Sequence, residues 1–529
     1  MKNNKKNIIS LALTLMIGLI TYYLMLPPIN ITSLLFWEYV FLLLIIFIFI
    51  NTILSGVKLK NLRNSSKLSG YILIFISGII VLITLTNFIL SPLFNSKSYA
   101  RRIVIDETGS FIKNVKPVDF NALPLLDKDS SQKLGDRVMG QMPELVSQFY
   151  VSNLYTQINY KGDIVRVTPL EYNGIFKYFS NHKRGVKGYI IVNSVTGESK
   201  LIKLDNGMKY MPSAYLSKNL NRHVRFKYPT DILGERNFEI DEKGNPFWII
   251  PTIKYTGVNL KEKVSGIIMV NSITGESKKY KVNNIPKWVD HVYPADLIIE
   301  QVDDWGKFKQ GFLNSVFGQK NVVVTTTGYN YTVMDDDVYL YTGITSATSD
   351  ASNLGFILTN LRTKKTNFYS APGAEEYSAM ASAKGQVQQM KYEASFPLLI
   401  NLNNKPTYLI SLKDNAGLVK MYAFVDVADY QKVVVTDASK GIEAASKNYL
   451  LNTKTDALES DLLEKSIVIK TIVSANIDGN SYYFITDTFD KKFFVSIAVN
   501  KKVLPFVTEG DTLNISYVDD EVSEIIKIK

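Results

Sequence analysis

A fifteen-residue stretch that occurs twice sets the first limit on how this chain can fold. Residues 186–200 read VKGYIIVNSVTGESK and residues 264–278 read VSGIIMVNSITGESK, 78 positions apart, with eleven of the fifteen pairs identical. A match of that length marks a duplicated structural unit. Each copy reads as a hairpin: an apolar run ends at Asn-Ser, Thr-Gly makes the turn, and Glu-Ser-Lys leads out as a second strand. Gly197 and Gly275 supply the positive φ that the turn calls for. Thr196, Glu198, Thr274 and Glu276 sit at equivalent places in the two copies and are read as turn-stabilising residues.

A second pattern precedes the first in both copies. Residues 161–174 (KGDIVRVTPLEYNG) and 243–257 (KGNPFWIIPTIKYTG) each give strands around a Lys-Gly turn, at Gly162 and Gly244. Looser versions follow at 329–346 with 355–369, and at 403–417 with 421–433. Helical stretches alternate with these sheet pieces: Ser131–Val151, one opening at Pro212, Pro294–Phe317 and Pro372–Met390. In Pro294–Phe317 the apolar Ile298, Val302, Trp305, Phe308, Phe312 and Val316 step by three and four and so share a face. Pro143 is expected to split or kink the first stretch. The expectation is α+β: a helix and two antiparallel hairpins per unit, four units at 96–205, 206–285, 286–371 and 372–436. Each helix would cover the apolar face of its own four-stranded sheet.

Three apolar runs stand in front, Ile8–Leu26, Leu34–Leu54 and Tyr71–Phe94, each close to the ~20 residues that cross a bilayer. The first 95 residues carry seven basic groups and one acid, Glu38, so they hold +6 of the chain's +11. The bias is thus a membrane-topology signal, and no nucleic-acid partner is expected. Basic groups flank the N-terminus and Val57–Lys67, while Pro27–Ser33 is uncharged. Residues 1–95 therefore read as a multi-pass anchor in the cell membrane, with the N-terminus cytoplasmic and everything after about residue 95 extracellular. Asn95–Arg102 reads as a tether, and Glu38, between two aromatics, as an interfacial residue.

The chain closes with a helical spacer (437–465) and five short alternating strands in 466–529. Asp478-Gly479-Asn480 and Glu509-Gly510-Asp511 are strong turns, and Asn500–Leu504 is a short helical link. That pattern suits a small OB-like β-barrel.

The repeat unit resembles the PepSY domain of bacterial envelope proteins, in which a helix precedes antiparallel strands and the last hairpin often reads Thr-Gly-Glu. Val192–Glu198, Val270–Glu276 and the turn Asp241–Pro246 carry the likeness over about residues 130–435. Thr363-Lys364-Lys365 and Ala428-Asp429-Tyr430 depart from it. The resemblance implies a binding or inhibitory module that acts on extracytoplasmic peptidases or wall hydrolases and does not itself catalyse.

Little in the sequence speaks for catalysis. There is no cysteine, and so no disulfide, thiolate nucleophile or Cys-type metal site. With an exported domain this suits a Gram-positive envelope. His182, His223 and His291 are scattered, without metal-ligand spacing, and no nucleophile elbow or phosphate loop is present. Asp335-Asp336-Asp337 reads as a solvated hairpin tip before a calcium site. Lys491, Lys492, Lys501 and Lys502 read as a solvated basic rim on the barrel. No catalytic, cofactor-binding or metal residues are assigned, and no cofactor. The expected partners are the lipid bilayer and an envelope protein, a peptidase, wall hydrolase or assembly subunit, with a homo-oligomer left open. The alternative is a structural subunit of an envelope-spanning secretion or DNA-transfer assembly.

Overall fold

The computed structural model describes residues 2–55, 67–334, 336–348, 352–453, 463–477, 480–518 and 521–527. Most of the basic loop Val57–Lys67, Asp335, most of the polar part of the spacer and the turn residues Asp478 and Gly479 lie outside the described residues.

Three helices open the chain: α1 (Lys2–Met25), α2 (Leu34–Leu54) and α3 (Lys67–Ile89). Each is long and apolar enough to cross a membrane, over Lys5–Met25, Leu34–Leu54 and Leu68–Ile89. At 1.5 Å per residue such a helix covers roughly 30 Å. Polar contacts join the first two. Asn51 Nδ2 donates to Asn7 Oδ1 at 2.8 Å, and the Tyr39 hydroxyl donates to the Gly18 carbonyl at 2.6 Å.

The tether expected at Asn95–Arg102 is instead a helix. Pro92 opens α4 (Pro92–Ala100), because proline suits the first helical position, where no N–H is needed. Tyr99 on α4 packs edge-to-face against Phe308, at 6.0 Å between ring centroids. Arg102, almost fully enclosed, pairs with Glu300 at 2.6 Å and with Asp304. The chain then adds β1 (Ile105–Asp106) and the single turn α5 (Phe111–Asn114). It runs along the third and fourth sheets: β1 pairs in parallel with Thr366 and Asn367, and Val118 N donates to Asn401 O at 2.9 Å.

The first unit proper contains α6 (Lys128–Gly140), α7 (Pro143–Val146), β2 (Phe149–Val151), β3 (Thr156–Tyr160), β4 (Asp163–Tyr172), α8 (Ile175–Asn181), β5 (Val186–Asn193) and β6 (Ser199–Met208). Asp127 caps α6 by accepting from Ser130 N at 2.9 Å. Pro143 does split the helical stretch, because the residue before a proline is pushed out of the helical region; Met142 has φ −125°. The second unit has α9 (Leu220–Lys227), β7 (Ile232–Leu233), β8 (Asn237–Ile240), β9 (Pro246–Thr256), β10 (Lys261–Asn271) and β11 (Ser277–Lys281).

The third unit has α10 (Ala295–Phe308), β12 (Val323–Thr325), β13 (Asn330–Met334), β14 (Asp337–Ser346), β15 (Ser352–Asn360) and β16 (Thr366–Ala374). The sequence carries α10 on to Phe317, but the helix stops at Phe308. Gly311, at φ +95°, then breaks the run before a separate turn at Asn314–Gly318. The fourth unit has α11 (Glu376–Gly385), β17 (Glu393–Ala394), β18 (Leu398–Leu402), β19 (Lys405–Lys413), β20 (Val419–Asp426) and β21 (Val433–Asp437), followed by α12 (Ile442–Asn452).

All four sheets share one antiparallel plan. The first strand is broken in two, both halves pair with the second strand, and the third and fourth follow in order. Each unit helix lies on its own sheet: Ile298 and Val302 of α10, for instance, pack with Val338, Leu340 and Ile357. The first and second sheets meet in one core around Tyr189, Phe238 and Trp248, and the third and fourth in another around Phe356, Tyr408 and Phe424. Full burial of one such side chain is worth about 1.5–3 kcal/mol, so these shared cores bind the sheets in pairs.

Five strands, β22 (Leu463–Ile477), β23 (Asn480–Asp487), β24 (Lys492–Ser496), β25 (Thr512–Val518) and β26 (Glu521–Lys527), close a separate barrel. Their order around it is β22-β23-β24-β26-β25, with β24 and β26 parallel.

Candidate functional site

Thr196, Gly197, Glu198, Thr274, Gly275 and Glu276 all fall on the repeated turns. Asn193 Oδ1 accepts from Val195 N and Thr196 N, both at 2.9 Å, and Thr196 Oγ1 accepts from Glu198 N. Asn271 does the same with Ile273 N and Thr274 N, and Thr274 Oγ1 with Glu276 N. The looser copies repeat the arrangement with other residues. Asn360 Oδ1 accepts from Arg362 N and Thr363 N, and Asp426 Oδ1 from Ala428 N and Asp429 N. Gly197 (φ +76°) and Gly275 (φ +78°) hold the left-handed position, which Lys364 (φ +66°) occupies in the third unit.

These turns also seat the helices. The carbonyls after the Asx residue, on Ser194, Ser272, Leu361 and Val427, accept from Leu126, Tyr210, Tyr293 and Ala374, which precede their units' helices by two residues except for Tyr210, ten residues ahead of α9. Thr196, Gly197, Glu198, Thr274, Gly275 and Glu276 are thus framework. The Lys-Gly turns lie at contacts between units. Gly244 O accepts from the Tyr189 hydroxyl of the first unit at 2.8 Å. Gly162 N donates to Asn159 Oδ1, whose amide nitrogen reaches Asp336 of the third unit at 3.0 Å.

At the acidic hairpin tip Asp336 is exposed at the turn, whereas its neighbour at the start of β14 is not. Asp337 is buried, and its carboxylate is bidentate to Arg362 at 2.7 Å and accepts from Asn360 Nδ2. Nearby lies a buried polar joint that brings together the first three units. Glu239 accepts from Asp290 N at 2.9 Å and from His291 N at 3.0 Å, Asp290 Oδ2 accepts from Asn159 N, and His291 Nε2 meets Gln157 O at 2.7 Å. Burial pushes the Glu239 and Asp290 carboxyls well up, and their mutual repulsion adds to the rise at Asp290. Burial drives the His291 imidazole down to about 4. The joint is closed off and its groups are tied to backbone, an arrangement that fastens elements together. His182 and His223 bond the carbonyls of Phe179 and Gly275.

Among the openings between the described residues are two that were not legible in the sequence. A cavity of about 210 Å³ sits between the third and fourth sheets under residues 111–123, lined by Phe111, Val115, Leu123, Val333, Met334 and Leu399 among others. The Tyr341 hydroxyl and Asn401 Oδ1, on residues that line it, are buried with no close hydrogen bond among the described residues, the hydroxyl lying beside Asn330 and the Leu399 backbone. A larger cleft of about 690 Å³ lies between the fourth sheet and the barrel, where Val433 and Val435 of β21 face Tyr482, Phe484 and Phe494. Lys440 covers the Phe494 ring at 5.4 Å. On the barrel rim, Lys491 leans over the Tyr517 ring at 4.5 Å, while Lys492, Lys501 and Lys502 are exposed.

No protein-family profile and no curated protein matches this chain. Among solved structures it is similar to the crystal structure of polysaccharide lyase Uly1, at 8% identity and a TM-score of 0.17, over 72% of this chain and 77% of that one. A likeness of that size carries no argument about fold or activity.

Proposed function

We propose that this chain is a non-enzymatic, membrane-anchored binding or scaffold protein of the bacterial envelope. Four PepSY-like units and an OB-like barrel would be held outside the cell to engage a peptidase, a wall hydrolase or another envelope protein. The N-terminus would be cytoplasmic. In support, the folded part abuts the end of the helices that carries the uncharged Pro27–Ser33 loop, away from Lys5 and Lys6: Ile29 N donates to Pro229 O and Asn259 N to Thr32 O. The barrel's strand order, with its one parallel pair, supports the OB-like reading.

The observation that carries the binding role is the cleft between the fourth sheet and the barrel. It presents the face of the second and third barrel strands, the binding face of OB folds, with Tyr482, Phe484 and Phe494 toward the repeats. Aromatic groups beside cations suit recognition of an extended protein segment. The test is co-purification from detergent-solubilised membranes, comparing the full chain with a Phe484→Ala, Phe494→Ala double variant. A specific protein retained by the first and lost by the second, at unchanged thermal stability, supports the reading. A ladder of defined particles insensitive to those substitutions favours the assembly subunit, and turnover of a wall-derived substrate would refute a non-enzymatic role.

A further inference from the structure

We infer that the exported part lies directly on the lipid surface, and that two apolar tips, each linked to the end of a different membrane helix, dip into it. This rests on the reading that α1–α3 span the bilayer.

The first tip is α8, inserted between two strands of the first sheet. Ile175 is 44% exposed, Phe176 82% and Phe179 49%, whereas Tyr178 on the opposite face is buried. The Tyr178 ring meets Tyr215 at 5.4 Å. The adjoining Leu216 carbonyl accepts from Arg222, whose guanidinium lies 3.9 Å over the ring of Tyr23. Phe226 packs on Tyr22 at 6.0 Å between ring centroids. Tyr22 and Tyr23 both lie in the last turn of the first span. The tip is therefore joined by side-chain contacts to the end of a membrane helix.

The second tip is the turn after α10. Leu313 is 67% exposed and Phe317 80%. Behind it Phe312 stacks on Phe308 at 6.3 Å, Phe308 meets Tyr99, and the Tyr99 hydroxyl donates to the Leu90 carbonyl, one residue past the end of α3. The two tips thus connect to the ends of different spans, the first through Tyr215, Leu216 and Arg222 to Tyr23 and the second through the packed rings of Phe312, Phe308 and Tyr99.

Large aromatic and aliphatic side chains left in water at those places are costly, and the interfacial layer is where such groups settle. Exposed Lys183, Arg184 and Lys320 follow the tips in sequence, and they match the phosphates of anionic headgroups. Both tips belong to folded units, so insertion would fix the tilt of the exported part and the height of the cleft above the lipid.

The chain has no cysteine, which makes single-cysteine labelling direct. Phe176→Cys, Phe317→Cys, Ile45→Cys and Phe489→Cys variants of the full chain would each carry a nitroxide, in nanodiscs containing phosphatidylglycerol. Ile45 lies within the second span, and Phe489 is as exposed as the tips but sits on the barrel. Positions 176 and 317 should be relaxed several-fold more by oxygen, relative to a water-soluble nickel chelate, than position 489. If Ile45→Cys reports lipid while either tip matches position 489, the two-point contact is overturned. If Ile45→Cys itself reports water, the spanning reading falls instead.

Discussion

Asn87, near the end of α3, and Val258, in a turn of the second sheet, hold each other through two hydrogen bonds. Asn87 Nδ2 donates to Val258 O at 2.8 Å, and Val258 N donates to Asn87 Oδ1 at 2.9 Å. The amide copies the pattern of a neighbouring strand and satisfies backbone groups beside the membrane end. Gly257 makes room for it, since a Cβ there would stand 2.8 Å from Asn87 Oδ1. Asn87→Leu should leave both Val258 groups unpaired, at a cost of about 1–3 kcal/mol. Hydrogen exchange of the detergent-solubilised chain should then quicken at residues 256–260 while the fourth sheet is unchanged.

The two copies of Thr-Gly-Glu-Ser predict unequal costs for one substitution. Gly197 and Gly275 have nearly the same φ, so alanine brings similar backbone strain, about 1–2 kcal/mol. At Gly197 the new methyl would make ordinary contact with Leu126 at 3.5 Å, but at Gly275 it would overlap the Tyr210 ring. Tyr210 is itself held by Lys218 at 2.6 Å and packed on His223. Gly275→Ala should therefore lower thermal stability by clearly more than Gly197→Ala. Equal losses would count against this packing.

The repeat was legible because the Asx turn needs few features: a side-chain acceptor at its first position and one residue tolerant of positive φ. Asn193 and Asn271 show these with glycine alongside, and a reader sees a motif. Asn360 meets the same need with Lys364 in place of glycine, so the third copy departs in sequence and not in shape, whereas Asp426 keeps the Asx bonds in a turn one residue longer, closed by Asp426 N to Lys432 O, with no left-handed residue. What escaped the sequence is contact between distant segments. Nothing near Asn401 announces that residues 115–118 lie against it, and nothing near Glu239 announces Asp290. The cleft at Phe494 and the cavity at Tyr341 exist only once separate units are stacked, so no local pattern encodes either.

Glu239, Asp290 and His291 make the stability of the folded part depend on pH in two opposed ways. The raised carboxyls bind protons in the folded state that the unfolded chain has released, so stability falls as pH rises from the ordinary carboxylate range toward neutral. His291 ionises at about 4 when folded against 6.5 in the open chain, so its contribution to stability grows as pH rises between those values. Glu239→Gln removes part of the first effect and leaves the second. Relative to the parent chain, its stability should improve on going from about pH 5 to about pH 8, by on the order of 2 kcal/mol. Denaturant titrations at both pH values measure the difference, and a constant gap would show that Glu239 is ionised throughout.

The cavity beneath residues 111–123 allows one substitution that separates binding from stability. The Tyr341 hydroxyl is buried beside Asn330 and the Leu399 backbone with no close hydrogen bond among the described residues, and such a group costs about 1–3 kcal/mol when it stays unsatisfied. Removing it with Tyr341→Phe keeps the ring that packs with Leu358 and Leu399. Thermal stability should therefore hold or rise by about 1 kcal/mol. Asn401 is different, because its amide nitrogen donates to Val115 O at 2.7 Å and fastens the roof of the cavity. Asn401→Leu should free that roof, with faster hydrogen exchange across residues 111–123. If an apolar ligand with a polar end uses the cavity, Tyr341→Phe should weaken its binding without loosening the roof. Loss of stability in Tyr341→Phe would mean that the hydroxyl already has a partner, and the cavity would then offer an occupant no free polar group at that residue.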